Sequence, residues 1–571
     1  MRRLSSFVPL PAVVVAAVTL AMLPIAPASA ATVPAVASAS AVPAAVQAPV
    51  AMQAAAAPAA GTFNRLAPTR LLDTRSRLGA AGPVGATGTV VLHVLGRGGV
   101  PSSNVAAVAL TVTATRPGGS GYLTVYPDGA ARPVTSNLNY SAGQSIANMV
   151  IVPVGAGGNV RLFNGALTGV DMVADVAGYF SAGTPSTGGS FRALPAQRLL
   201  DTRSGAAVSP GGTVGVRVAG AAGVPSSGVA SVVVNLTAAG ARGSGFLTAF
   251  ASGATRPDVS SVNFSGSRNV ANLAVVPVGA DGRITVFNSS GAPVDVLVDI
   301  AGYYLAGTPS GVGTFRMVAS RRILDTRPDA GGAGRLNPGA TLPLKVMGTA
   351  GIPASAVSAV VMNLTAAAPT SFGHLTVYPG NTTRPNTSNL NFTGRQTIAA
   401  LVTVPVGTDG TVRIYNGGGA TDVVADVVGY YVGASPTACN QVPTDPAGTT
   451  VTRWNPMVSC VLGMLGAAQS ASNISDVDIV IRYESSGDPN AINNWDSNAQ
   501  AGHPSQGLVQ VIQPTFDYYR SPSLPANLLN PAANVYAGMH YAISTYGSIH
   551  NIPGLVSLRN GGGYKGYIVR K

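Results

Sequence analysis

Glutamate is all but missing from this chain. Of 571 residues 21 are acidic, and reading them one by one gives 20 aspartates and a single glutamate, Glu484. A site that needs two glutamates is excluded, and helices with the usual Glu/Lys surface must be few. Charge of either sign is thin, at 10% against 46% hydrophobic residues. That balance is too apolar for a disordered chain and too poor in charge for long coiled coils. Histidine is scattered (His93, His374, His503, His540, His550) and forms neither H-E-x-x-H nor a Cys/His cluster, so no metal site and no cofactor are expected. The two cysteines are Cys439 and Cys460. In an oxidising compartment such a pair favours a disulfide over a redox or metal site. After the first 30 residues nothing offers the ~20 continuous apolar residues that span a bilayer.

What is abundant is glycine (70) and proline (42). At about 150 residues per domain the length suggests four domains. Arg2 and Arg3, the apolar run Val13 to Met22 and the small residues Ala28-Ser29-Ala30 read as an export signal, residues 1–30. Residues 31–60, nearly all Ala, Val and Pro, read as an extended linker. The mature protein is therefore expected to be secreted or cell-wall associated, and free of the membrane once the signal is removed.

Three long copies follow, at 61–185, 190–309 and 314–435. Their clearest anchor is R-L-L-D-T-R at Arg70 to Arg75 and Arg198 to Arg203, then R-I-L-D-T-R at Arg322 to Arg327, which sets Asp73, Asp201 and Asp325 128 and 124 residues apart. GYLTVYP, GFLTAFA and GHLTVYP keep the same phase, as do DVAGYF, DIAGYY and DVVGYY. Runs rich in Val, Thr, Leu and Tyr, cut by Gly, Pro, Asn and Asp every ~8–12 residues, point to all-β, sandwich-like domains. The Asp-Thr-Arg element and the pairs Asp171/Asp175, Asp295/Asp299 and Asp422/Asp426 read more simply as ion pairs and turn caps than as a ligand site. The sequons at Asn235 and Asn363 read as strand residues. The copies resemble β-rich modules carried in multiple copies by exported actinobacterial proteins, which implies a spacer or a wall- or glycan-binding role.

From residue 436 the composition changes. Seven basic and seven acidic residues balance between Cys439 and Lys571, so the net +13 belongs to the signal and the copies. Ser475 with Asp478 makes an N-terminal capping pattern. Val477, Val480, Ile481 and Glu484 then fall on one helical stripe, which Gly487 and Pro489 stop. A carboxyl at the end of that stripe is desolvated and lies near a helix C-terminus, and both effects raise its pKa. An acid still protonated near neutrality is what cleavage of a glycosidic bond requires. A second helix is expected from Asn530-Pro531 to near Gly547, with small residues opposite its apolar stripe for a ligand or another backbone to approach.

In these motifs the C-terminal domain, about Arg453 to Tyr567, resembles the soluble lytic transglycosylase family with its goose-type lysozyme-like, mainly α fold, and within it the tape-measure-like branch of actinobacteria and their phages. The motifs are Glu484-Ser485, Pro504-Ser505, Gly507-Leu508-Val509-Gln510 (Val where the family has Met) and Asn534-x-x-Ala537-Gly538-x-x-Tyr541. The family's A-Y-N motif is absent in that form, and Asn560-Gly561-Gly562-Gly563-Tyr564 stands in its place. The resemblance implies cleavage of the β-1,4 bond between N-acetylmuramic acid and N-acetylglucosamine in peptidoglycan, with closure of a 1,6-anhydro ring. Glu484 would be acid and then base, and Ser485, Asn493, Ser505, Gln510, Tyr541 and Tyr564 would hold the substrate. Two other readings stay open. One is hydrolysis, which needs a second carboxylate such as Asp496 or Asp488; the other is a non-catalytic surface adhesion or scaffold protein. Peptidoglycan strands are the expected partner, with anionic wall polymers a further one for the basic copies. Nucleic acid is not expected of an exported chain without an aromatic–basic motif.

Overall fold

The computed structural model describes residues 61–567 apart from 184–188, 267, 308–311, 434–438, 440–449, 466, 468, 470 and 522–523. The signal and linker expected at 1–60 lie outside the described residues. No helix among the described residues is long and apolar enough to cross a membrane.

The N-terminal region is β-rich and the C-terminal region helical. Eight strands open the first: β1 (Phe63–Asp73), β2 (Thr89–His93), β3 (Val105–Thr115), β4 (Gly121–Pro127), β5 (Leu138–Tyr140), β6 (Ile146–Pro153), β7 (Asn159–Asn164) and β8 (Asp171–Ser181). They form two antiparallel four-stranded sheets, ordered β1-β8-β3-β6 and β2-β7-β4-β5. Alternation decides which face is inward: on β7, Val160 and Leu162 are buried while Asn159 and Arg161 are half-exposed. Leu110 and Val112 of the first sheet pack with Leu92 and Leu123 of the second in one core. Four more four-stranded sheets, built from Phe191–Leu305 and Phe315–Val432, repeat the same two strand orders.

The β1-type strands join these sheets in a closed cycle. Gly189 N donates to Phe63 O (2.8 Å), Phe191 N to Gly313 O (2.8 Å) and Gly61 N to Phe315 O (3.1 Å). Phe63, Phe180, Phe191, Tyr304, Phe315 and Tyr431 are buried together at the junction. The glycine of each A-G-Y or V-G-Y landmark makes that possible, because a Cβ at Gly178 would lie 2.3 Å from the Phe63 ring. Buried carboxamides tie the sets further, Asn235 Nδ2 donating to Ser388 O and Asn363 Nδ2 to Ser136 O, both at 2.5 Å. Both sequon asparagines are thus strand residues facing inward.

The Asp-Thr-Arg element is a closed ion-pair network. Arg75 Nη2 meets Asp73 Oδ2 at 2.7 Å, and Arg70 reaches both Asp73 (3.3 Å) and Asp175 (2.8 Å). One correction follows for the paired aspartates. Asp171 and Asp175 do not cap a turn: they lie within β8, Asp171 accepting from Thr74 Oγ1 and Arg116 and Asp175 gripping Arg70. Alternation puts both on the face where the arginines arrive.

In the helical region the structure gives α1 (Asn455–Met464), α2 (Ala471–Ser485), α3 (Ser497–Gln500), α4 (Gln513–Tyr519), α5 (Pro531–Tyr546) and α6 (Pro553–Arg559). Cys439 and Cys460 form a disulfide with Cα atoms 5.3 Å apart, fastening the segment before α1 to that helix. α2 starts at Ala471, four residues before the capping pattern read at Ser475. Asp478 is spent elsewhere: the Asn455 side-chain amide donates to its carboxylate. α5 has the limits its cap, proline and glycine signal. Asn530 accepts from Ala533 N, and Gly547 closes the helix at φ 76°.

Candidate active site

Val477, Val480 and Ile481 are fully buried, so the α2 stripe faces the core and carries Glu484 in with it. Ser486 and Gly487 then turn into the left-handed region and end the helix. The Gly487 carbonyl accepts from Trp454 Nε1 (3.0 Å) and Arg453 Nη2 (2.9 Å), which fixes the exit. Ser485 Oγ donates to Leu508 O at 2.7 Å, tying the end of α2 to the Gly507–Gln510 turn.

That turn is held from below by Asn534 of α5. Its Oδ1 accepts from Val509 N (2.9 Å) and its Nδ2 donates to Gln506 O (2.8 Å). Only glycine fits at 507, where φ is 80° and a Cβ would lie 2.4 Å from Asn534 Nδ2. Gln510 Nε2 donates to Ala491 O (3.1 Å) and Gly507 O (2.9 Å), so this side chain braces the turn. Asn493 and Ser505 face each other in a short antiparallel pair, Ile492–Asn493 with Ser505–Gln506. Asp496 caps α3 through Ala499 N (2.8 Å) and accepts from Asn493 Nδ2 (3.2 Å).

Glu484 itself meets Tyr564, whose hydroxyl donates to Oε1 at 2.8 Å. Tyr483 stacks on the Tyr564 ring at 4.6 Å between centroids. Burial pushes the Glu484 carboxyl above its usual pKa and the Tyr564 hydrogen bond pulls back against it. The Tyr564 hydroxyl is itself driven far up by burial and by the carboxylate beside it, so it stays a neutral donor. The arrangement is a protonatable, partly buried carboxyl held by a donor that favours its charged form.

Of the residues singled out from sequence, Glu484 and Tyr564 touch. Ser485, Gln510, Asn493 and Ser505 form the connected turn and hairpin beside them. Tyr541 packs against Tyr567, with ring centroids 6.3 Å apart, and its hydroxyl lies 3.4 Å from that of Tyr546. The small residue beside it, Gly538, is not left open for a ligand: a Cβ there would meet Val509 (2.7 Å), Tyr567 Oη (3.2 Å) and Val511 (3.3 Å). Sequence reading missed Tyr567, whose buried hydroxyl has no hydrogen-bond partner. It also missed Asp476, which grips Arg559 Nη2 at 2.7 Å and so pins α6, from which Tyr564 is reached, onto α2. Neither residue stands in a motif; only their placement in the fold marks them. No group of three or more His, Cys, Asp or Glu that could hold a metal ion occurs among the described residues.

Over 88 residues the chain is 53% identical to the uncharacterized protein YqbO of Bacillus subtilis (strain 168), a stretch covering 15% of this chain and 6% of that protein. The chain thus spans only a small fraction of that relative's length. Two solved structures also align. One is titled "Life in the extremes: atomic structure of Sulfolobus Turreted Icosahedral Virus" and the other "The Triple Jelly Roll Fold and Turret Assembly in an Archaeal Virus". Their identities are 11% and 10%, over 64% of this chain and 91% and 90% of theirs, and TM-scores of 0.13 and 0.14 carry no argument. Residues 466–563 match the family model for the transglycosylase SLT domain, a narrower span than the motifs suggested, ending one residue before Tyr564. The chain therefore carries a C-terminal transglycosylase SLT domain, preceded by a separate β-rich region.

Proposed function

We propose that the chain is an exported lytic transglycosylase that cuts the MurNAc-β-1,4-GlcNAc bond of peptidoglycan through Glu484. The SLT domain implies lytic transglycosylase activity on peptidoglycan; the observation that carries the residue assignment is the raised, Tyr564-bonded carboxyl of Glu484. Protonated Glu484 gives its proton to the glycosidic oxygen as the bond to C1 breaks. The carboxylate so formed takes the proton of the C6 hydroxyl of the muramic sugar, and that oxygen closes on C1. The proton returns to Glu484 and no water is consumed, so one carboxyl suffices. The Tyr564 hydroxyl steadies the carboxylate in the second half of the cycle. Asn493 and Ser505, with Gln510 bracing the turn beside them, would hold the acetamido groups, and Tyr541 would reach the sugar from α5. Hydrolysis would need a second carboxylate to activate water; of the two candidates, Asp496 accepts from Ala499 N and Asn493 Nδ2, and Asp488 accepts from Asn490 N.

In this reading residues 61–185, 190–309 and 314–435 are three copies of one sandwich module, supported by their common strand orders. They serve as a spacer or as a basic surface for anionic wall polymers, and residues 436–571 form the catalytic domain. The test is clearing of a cell-wall suspension by the full chain, with mass analysis of the products. Wild type should release ends one water lighter than reducing ends, and Glu484→Gln should release none. Undiminished clearing by Glu484→Gln would sink the assignment, ends of hydrolytic mass would turn it to a muramidase, and no clearing by wild type would leave a binding protein.

A further inference from the structure

The chain has two tryptophans, and they are placed in opposite ways. Trp454 is 1% exposed and its Nε1 is bonded to Gly487 O, whereas Trp495 is 77% exposed. Tryptophan is the side chain with the most apolar surface to lose by standing in water, so one held outward calls for an occupant. The backbone at Trp495 is held. Trp495 N donates to Asn493 Oδ1 (3.2 Å), Asn493 Nδ2 donates to Asp496 Oδ2 (3.2 Å), and Asp496 Oδ1 receives Ala499 N (2.8 Å). Three side-chain hydrogen bonds thus lock the four-residue loop while its indole faces solvent. Ile492, 41% exposed, adds apolar surface three residues away, and the exposed carboxamides of Asn490 and Asn494 flank the loop.

The same loop is wired to Glu484. Asn493 pairs with Ser505, Gln510 bonds Ala491 O, and Ser485 bonds Leu508 O. The backbone that carries the indole is therefore tied to the segment that carries Glu484. A flat apolar face edged by carboxamides suits one chemical class: a pyranose ring, whose C–H face stacks on the indole while its hydroxyl and acetamido groups pair with the amides.

We infer that Trp495, with Ile492 three residues before it, is a stacking platform for a sugar ring of the glycan strand other than the one cut at Glu484. This rests on the reading that the domain acts on peptidoglycan. Trp495 fills no role in the chemistry; it anchors the strand so that the scissile bond is presented to Glu484.

The test uses the full chain carrying Glu484→Gln, so that binding is read without cleavage, titrated with a hexamer of β-1,4-linked N-acetylglucosamine and with peptide-free glycan strands. Tryptophan emission should shift saturably with both, and the shift should vanish in Glu484→Gln/Trp495→Phe, where only Trp454 reports. On the otherwise wild-type chain, Trp495→Ala should raise KM for glycan strands about 5–20-fold with kcat within about twofold, a range typical of one lost aromatic stack. Trp495→Tyr should restore most of the affinity, and the melting temperature should stay unchanged because the side chain is exposed. Emission unmoved by either glycan, or an unchanged KM in Trp495→Ala, overturns the inference. If wild type cuts wall while Trp495 stays silent, the platform alone is wrong. If Trp495 reports glycan binding but wild type does not cut, the enzyme reading fails and the platform stands.

Discussion

Asp175 in the β-rich region and Glu484 in the helical one are both buried enough for desolvation to raise their pKa, yet they are built for opposite ends. Asp175 meets a guanidinium on two atoms, Arg70 Nε to Oδ1 at 2.8 Å and Nη2 to Oδ2 at 3.3 Å. The same pairing recurs as Arg198–Asp299 and Arg322–Asp426. Glu484 meets the neutral hydroxyl of Tyr564. A carboxylate opposed by a fixed positive charge is kept as a carboxylate; one opposed only by a neutral donor can gain and lose a proton within the working range. Burial alone does not mark a catalytic acid. The partner does.

The sharpest way to break this contrast is to remove each group in turn. Glu484→Gln should cut wall cleavage by about 10³-fold or more, at the upper range for loss of a general acid–base. It should leave the fold intact. Because the folded-state pKa of Glu484 is raised, the native state holds its proton more tightly than the unfolded chain does, and stability falls as pH rises through that pKa. The glutamine variant escapes this loss, so its melting temperature should match wild type in acid and exceed it at neutral pH. A glutamine variant that becomes relatively less stable as pH rises would contradict the burial argument.

Arg70→Met should do the reverse. It leaves Asp175, whose side chain is 2% exposed, without its counter-charge and should cost about 2–4 kcal/mol, somewhat under a fully buried pair because Arg70 is itself a quarter exposed. Acid should shrink the deficit, since protonating Asp175 removes the uncompensated charge. Glycan cleavage per folded molecule should not change. Denaturant melts across a pH series together with a wall-clearing assay measure all three; equal activity loss in Arg70→Met and Glu484→Gln would erase the distinction drawn between the two carboxyls.

How much of this could be read from residues alone follows the same division. The β-rich region was legible because alternation, Asp-Thr-Arg and the terminal aromatic landmarks recur in phase, and local patterns encode strands. The cyclic joining of the sheets was not, because hydrogen bonds such as Phe191 N to Gly313 O link positions more than a hundred residues apart. In the helical region the α2 stripe and the Asn530–Pro531 start were legible for the same local reason. The α2 start was misplaced because Asp478, read as half of a capping pattern, serves Asn455 instead. The contact between Glu484 and Tyr564 spans 80 residues. The motif resemblance offered Tyr564 only as a residue that holds the substrate, and no periodicity could pair it with Glu484. Tyr567 and Asp476 lay beyond both kinds of signal.

A smaller effect should come from Tyr564→Phe. The hydroxyl favours the charged form of Glu484, so its loss lets the carboxyl pKa rise further. Glu484 must be protonated to act as acid, so activity falls as pH rises through its pKa. The alkaline limb of kcat/KM should therefore move to higher pH in the variant, even as the plateau drops about 3–10-fold for one hydrogen bond of about 0.5–1.5 kcal/mol. A limb that moves down, or does not move while the plateau falls, would show that Tyr564 acts on the sugar and not on the carboxyl.

The smallest expected change concerns a buried hydroxyl left unpaired in the helical domain, a cost that the β-rich region bears as well. The Tyr567 hydroxyl is buried beside Gly538 with no hydrogen bond, as are the hydroxyls of Thr113 and Ser231 in the β-rich region. An unsatisfied buried hydroxyl costs about 1–3 kcal/mol, so replacing it with hydrogen should recover part of that. Tyr567→Phe keeps the ring, its packing near Tyr541 and its backbone carbonyl, which accepts from the Tyr546 hydroxyl. The variant should therefore be about 1 kcal/mol more stable, a rise of about 2–4 °C in the melting of the helical region. A fall in melting temperature would mean that the hydroxyl is satisfied in solution. A rise accompanied by slower cleavage would mean that it is kept unpaired for the substrate, and the cost would then be a functional one.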